Sequence, residues 1–213
     1  MRSSSREVPT PHGPGRLHRA GASPSGRATL VLGHGAGGGV EAADLRAMAA
    51  AVSEAGYAVV LVEQPWRVAG RGIAPRPAVL DEAWLACVRS LRPRGPLVLG
   101  GRSAGARVAC RTASELDAAA VVTLAFPLHP PGRPERSRAG EMAGCPVPVL
   151  AIQGDRDVFG TARDLRREVP SARVVEVSGG DHGLGRGDVG PAVEAVISLL
   201  DRLSGECGPG HAR

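Results

Sequence analysis

Lysine and asparagine are absent from this 213-residue chain, so all 26 of its basic side chains are arginines. The formal charge of +5 and the pI of about 9.8 suggest a polycation. The arginines are nevertheless scattered and interleaved with Asp and Glu, which marks a GC-rich coding bias rather than a nucleic-acid surface. Aromatic residues make up 2% of the chain, too few for a base-stacking platform. No nucleic-acid partner is expected. Four cysteines, Cys87, Cys110, Cys145 and Cys207, are spaced too widely for a CxxC zinc pattern and read as reduced thiols packed as small apolar groups. No apolar run is long enough to span a bilayer, and MRSSSREVPTPHG has no apolar stretch after its charge. The expectation is a cytoplasmic protein without a membrane partner.

What is present is a regular alternation. From Ala28 onward, short apolar β-rich runs alternate with helical patterns, as in a parallel sheet wrapped by helices. Strands are expected at Ala28–Leu32, Ala58–Glu63, Leu97–Gly100, Ala119–Ala125, Val147–Gln153 and Arg173–Val177. Their unbroken apolar character fits a sheet covered on both faces. One helical stripe runs through Leu45, Met48 and Val52, and another through Leu80, Trp84, Cys87 and Leu91, ending before Pro93. Thr161 with Asp164 predicts a capped helix to Val169, and Pro191 opens a last helix carrying Val193, Val196, Leu200 and Leu203. The fold class is therefore α/β, a mostly parallel central sheet flanked by helices. One domain is expected over 28–204, preceded by an edge hairpin or disordered segment (1–27) and followed by a flexible tail (205–213). The excursion Pro127–Gly144 is proline-rich, expected over the site, and short for a lid.

The most informative stretch is LVLGGRSAGARVAC, Leu97 to Cys110. A buried-strand pattern breaks at Gly100 and Gly101, places Ser103 at the centre of GxSxG, and restarts as a small-residue helix. A serine hydroxyl is a poor nucleophile unless the backbone holds it in a sharp turn beside a base and facing donors for an oxyanion. Such a nucleophile needs a histidine and a carboxylate further along, each just past a strand end. GDRD follows the fifth expected strand and SGGDHGLG the sixth. His182 suits the base because free imidazole titrates near pH 6.5. Spacing favours Asp157 over Asp155 as the orienting acid, and Asp181 reads as structural.

The loop LVLGHGAGGGVEAADL lacks the ending of a P-loop and does not fit GxGxxG, so a phosphate cradle is not expected. It suits backbone donors for a developing oxyanion: Ala36 is the first choice, with Gly37 remaining open, and Ala104 supplies the second. Gly37, Arg102 and His129 are the candidate substrate-binding residues. Arg102 stands beside the nucleophile and His129 in the excursion, although in so arginine-rich a chain Arg102 also reads as a solvated side chain. Neither His34 nor His129 has a ligand partner at a metal-binding spacing, and no metal is expected.

With LVLGHGAGGG, GGRSAGARVA, FPLHPPGRPERSR, VLAIQGDRDVFG and GGDHGL in view, the chain resembles the α/β-hydrolase superfamily. Within it, the chain is similar to small dienelactone-hydrolase-like enzymes, in the group that includes the vertebrate testis-expressed hydrolase-like protein and the third NSL-complex subunit. The resemblance spans almost the whole chain. It implies a minimal cap, a Ser103, Asp157, His182 triad, an oxyanion site near Ala36 and Ala104, no cofactor and a small-molecule ester as substrate. Dienelactone hydrolases carry cysteine where this chain has Ser103, so lactone specificity is not carried over. The expected function is hydrolysis of an ester or related acyl bond through an acyl-Ser103 intermediate. A catalytically silent binding or scaffold protein and an acyltransferase are the alternatives. Oligomeric state is not legible in the residues.

Overall fold

The computed structural model describes residues 4–21, 27–93, 95–184 and 187–205. Eight strands are present among them: β1 (Ser4–Val8), β2 (Gly15–Ala20), β3 (Thr29–Gly33), β4 (Ala58–Glu63), β5 (Leu97–Arg102), β6 (Ala120–Leu124), β7 (Val149–Gly154) and β8 (Arg173–Val177). They form one sheet in the order β1-β2-β4-β3-β5-β6-β7-β8. The six strands from β3 to β8 run parallel, whereas β1 and β2 form an antiparallel hairpin whose inner strand pairs antiparallel with β4. The hairpin occupies the edge that β4 would otherwise leave open. Residues 1–3 and 22–26 of the segment expected to be a hairpin or disordered lie outside the described residues, as does the tail from 206.

Among the described residues seven α-helices accompany the strands: α1 (Ala43–Glu54), α2 (Pro65–Val68), α3 (Pro77–Arg89), α4 (Ala104–Thr112), α5 (Ala139–Ala143), α6 (Ala162–Glu168) and α7 (Gly190–Gly205). Because successive strand residues face opposite ways, each central strand feeds two cores. Val31, Val60, Leu99, Val121 and Ala151 pack with side chains of α3, α4 and α6, including Leu80, Trp84, Val108 and Leu165. Leu30, Leu32, Val59, Val98, Val122 and Ile152 pack instead with Leu45, Met48 and Val52 of α1 and Val196 and Leu200 of α7. Two covered faces explain why β3 is buried along its whole length. Cys87 and Cys110 are buried free thiols and Cys145 is half-buried; Cys207 lies outside the described residues.

Strand limits depart from the sequence reading in small, explicable ways. The seventh strand begins at Val149 rather than Val147, since Pro148 has no N–H to give a neighbour. Its carbonyl still accepts from Val121 at 2.9 Å. Helix α3 stops at Arg89, and Leu91 is buried from the loop beyond. Thr161 and Asp164 form the reciprocal side-chain and backbone bonds of a capping box at the start of α6.

Direction matters most at β3 and β5. These neighbours lead to α1 and α4, which lie on opposite faces of the sheet. Loops that leave adjacent strands in opposite directions open a crevice at the strands' carboxyl ends. The β3–α1 loop and Ser103 meet there.

Candidate active site

Ser103 closes β5 and opens α4 with φ 53° and ψ −111°. A left-handed backbone at a residue bearing a Cβ costs about 1–3 kcal/mol and persists only where its surroundings enforce it. Here the Ser103 N–H donates to the Leu124 carbonyl at 3.0 Å. The two flanking glycines allow the close packing: a Cβ on Gly101 would stand 2.6 Å from the Gly33 carbonyl oxygen, and one on Gly105 2.5 Å from the same atom. Helix α4 thus starts hard against the end of β3.

Asp157 sits in the turn after β7 and His182 in the loop after β8. The structure brings them into one hydrogen-bonded line with Ser103. His182 Nε2 lies 2.9 Å from Ser103 Oγ, and His182 Nδ1 lies 2.8 Å from Asp157 Oδ2. The carboxylate is buried, the imidazole is one-fifth exposed, and the chain thereby keeps solvent off the acid while leaving the base open to a ligand. Asp157 Oδ1 accepts the Phe159 N–H at 2.8 Å, and its Oδ2 also accepts from Gln153 Nε2 at 3.0 Å. Those donors leave the carboxylate one orientation. Asp155 is not joined to His182; its backbone N–H donates to the Val177 carbonyl.

Three supporting residues escaped the sequence reading. Gln153 is fully buried in β7, accepting the Phe126 N–H at 2.8 Å and donating to the Phe126 and Gly160 carbonyls as well as to Asp157. A lone polar residue within VLAIQG was its signal, because a buried amide must find partners. The Phe159 ring stacks on His182 with centroids 4.1 Å apart. Asp44, at the start of α1, accepts from Arg102 Nε at 2.6 Å. The same guanidinium donates through Nη2 to the His182 carbonyl at 3.2 Å, so the structure uses Arg102 as a brace between α1 and the histidine loop.

The β3–α1 loop is fixed by His34, which is buried. Its Nδ1 lies 2.9 Å from the Gly35 carbonyl oxygen, and its Nε2 accepts the Gln64 N–H at 3.0 Å. These partners require a neutral imidazole with the proton on Nδ1, and burial lowers its pKa accordingly. Carbonyl and N–H of one peptide point in opposite directions, so the bond to Gly35 turns the Ala36 N–H away from His34. Ala36 and Ala104 line one small chamber, and the Ala104 N–H, in the first turn of α4, has no intrahelical acceptor. Gly37 is exposed beside Ala36.

His129 is half-buried at the inner end of the excursion. Its backbone N–H donates to the Phe159 carbonyl at 3.0 Å, and its Nδ1 lies 3.0 Å from the Pro130 carbonyl. Further along, Glu141 takes Arg107 Nε at 2.7 Å and Arg111 Nη1 at 3.0 Å, tying α5 to α4. The excursion is therefore strapped down beside the acid loop. Among the described residues no cluster of His, Cys, Asp and Glu forms a metal site, and no helix is long and apolar enough to cross a membrane.

Comparisons with known proteins bear on the family and the fold. The family model described as "Alpha/beta hydrolase domain" matches residues 26–193, well over half the chain. No curated protein matches significantly. Among solved structures, an α/β serine hydrolase without lid from Xanthomonas campestris is 20% identical with a TM-score of 0.75, over 100% of this chain and 98% of that one. An α/β serine hydrolase homologue from Coxiella burnetii is 18% identical with a TM-score of 0.71, over 95% and 97%. Est1E from Butyrivibrio proteoclasticus with ferulic acid bound is 16% identical with a TM-score of 0.73, over 93% and 98%. At these identities the likeness is one of fold.

Proposed function

The chain belongs to the alpha/beta hydrolase family, and on that premise we propose that it cleaves a carboxylic ester or related acyl bond through an acyl-Ser103 intermediate. The observation that carries this reading is the continuous line Ser103 Oγ, His182, Asp157, with contacts of 2.9 and 2.8 Å. His182 takes the Ser103 proton as Oγ attacks the carbonyl carbon, and Asp157 stabilises the imidazolium that forms. His182 then gives that proton to the departing alkoxide. Water, losing a proton to the same nitrogen, attacks the acyl carbon; the bond from that carbon to Oγ then breaks as His182 returns the proton to Oγ, which releases the acid and restores Ser103.

Negative charge on the carbonyl oxygen is received by the N–H groups of Ala36 and Ala104, the first aimed by the His34 bond to Gly35. Loss of one such donor typically costs ~10²- to 10³-fold in rate. Arg102 supports catalysis by holding the His182 loop, a different role from the substrate contact expected of it. Within the family, the motifs of the small dienelactone-hydrolase-like group fit this site, with serine as nucleophile. A small-molecule ester is the substrate class, and the Est1E structure with ferulic acid is an example of a related fold holding a small carboxylic acid. The test is a panel of p-nitrophenyl esters of increasing chain length: short acyl esters are turned over and Ser103→Ala abolishes turnover. Exclusive use of long chains would contradict the reading of a strapped, cap-poor site.

A further inference from the structure

Helix α4, which opens at Ser103, carries Arg107, Cys110 and Arg111 along one side, since residues three and four apart share a helix face. Helix α5 presents Glu141 to that side: the carboxylate accepts from Arg107 Nε at 2.7 Å and from Arg111 Nη1 at 3.0 Å. The helical turn runs on past α5, with the Gly144 N–H donating to the Gly140 carbonyl at 3.0 Å and the Cys145 N–H to the Met142 carbonyl at 3.1 Å. Cys145 therefore lies one turn beyond Glu141, on the side that meets α4. It packs against the core cluster that contains Cys110, and the Cys110 S–H donates to the Cys145 sulfur. Pro146 and Pro148 stiffen the backbone that leaves Cys145.

The two thiols differ in character. Cys110 is 2% exposed, and its hydrogen bond to Cys145, together with burial, keeps it protonated well above the ordinary thiol range. Cys145 is half-buried. The hydrogen bond it receives from Cys110, with a second from the Val147 N–H, outweighs its partial burial and brings its pKa down to about 7. The thiolate is the form of cysteine that attacks an oxidant. Burial pushes the Cys87 thiol the other way, up to about 11.

We propose that Cys110 and Cys145 form a peroxide-responsive modification site, closing to a disulfide that staples the end of the excursion to the helix that opens at Ser103. The Cys145 thiolate attacks one oxygen of hydrogen peroxide; the O–O bond breaks, and the other oxygen leaves as hydroxide and takes up the proton that Cys145 gave to solvent. Cys145 is then a sulfenic acid. Cys110 attacks that sulfur, the S–S bond forms, the S–O bond breaks, and the leaving oxygen takes the Cys110 proton to become water. Two thiols are oxidised to one disulfide, and one peroxide is reduced to two waters. The bond joins elements that Glu141 already holds together, so it closes without moving Ser103 and acts mainly by restricting the unfolded chain.

The test uses the full-length reduced protein, treated with a small excess of hydrogen peroxide, capped with N-ethylmaleimide and digested with trypsin. The expected product is a disulfide joining the peptide that carries Cys110 to the peptide that carries Cys145, reversed by dithiothreitol, with Tm raised by roughly 5–10 °C over the reduced protein. Order is read with dimedone, which traps sulfenic acid: Cys110→Ser, or Cys110→Ala should that variant not fold, takes the label on Cys145, whereas Cys145→Ser leaves Cys110 unlabelled. Neither variant gains stability from peroxide. A folded protein that forms no linked pair, a pair that forms only in urea, a link from Cys145 to Cys87 or Cys207 instead, or a disulfide that leaves Tm unchanged or lower overturns the proposal. Peptide mass and Tm are read without substrate, so the outcome is independent of the esterase reading.

Discussion

Gln153 lies fully buried beneath the acid loop with its Nε2 3.0 Å from Asp157 Oδ2, so the carboxylate that faces His182 is held from behind by an uncharged amide. The same side chain accepts the Phe126 N–H and donates to the Gly160 carbonyl, joining the ends of β6 and β7 to the turn that carries Asp157.

Gln153→Leu removes that amide and leaves buried partners unpaired. Each such group costs about 1–3 kcal/mol, so chemical denaturation is expected to show a loss of about 2–4 kcal/mol. Freed to rotate, Asp157 orients His182 less well, and kcat on a short ester falls by roughly tenfold or more with KM little changed. An unchanged kcat in folded protein would show that Phe159 N–H alone suffices.

Arg102 separates two roles by the kinetic constant that moves. As a brace between Asp44 and the His182 carbonyl, its replacement by Met lowers kcat on a neutral ester about tenfold, since charge-assisted bonds of this kind contribute about 1.5–3 kcal/mol. A direct contact to an acidic substrate would instead raise KM for an anionic ester and spare the neutral one. Steady-state kinetics on a matched pair of esters decides between them.

Burial holds His34 neutral to lower pH than a free imidazole. Above about pH 6.5 neither folded nor unfolded chain protonates this group. Below it, the unfolded chain takes up a proton that the folded chain refuses, so stability falls with pH until folded His34 itself titrates. The urea midpoint of the native protein is expected to drop between pH 7 and pH 5, and more steeply than that of His34→Asn. Parallel slopes would contradict a neutral His34 in the β3–α1 loop.

How much of this was legible depends on the range of the forces involved. The strand, bend and helix around Ser103 are signalled within LVLGGRSAGARVAC, where the glycines and the change of period are local, although β5 runs on through Gly100 and Gly101 to Arg102, two residues beyond the expected strand end, because both glycines pair in register with β3 and β6. The capping box at Thr161 is local in the same way. Asp157 could be preferred over Asp155 by spacing, since a strand end and a turn set which carboxylate faces the neighbouring loop. Gln153 was marked only as a lone polar residue in an apolar strand, which does not name its partners, and Phe159 and the Asp44–Arg102 pair had no local signal. Arg102 and Asp44 are 58 positions apart in sequence, and only the fold, which brings the start of α1 to the end of β5, makes them partners. Helix α2 was missed because four residues are too few to show a helical period.

The central claim is most directly tested by intact-mass and peptide-level mass spectrometry after reaction with a fluorophosphonate, which traps a serine only where a base removes its proton. One adduct on Ser103, absent in Ser103→Ala and strongly slowed in His182→Ala, is the predicted result. A folded native protein that takes no label, or takes it on another residue, would contradict the account.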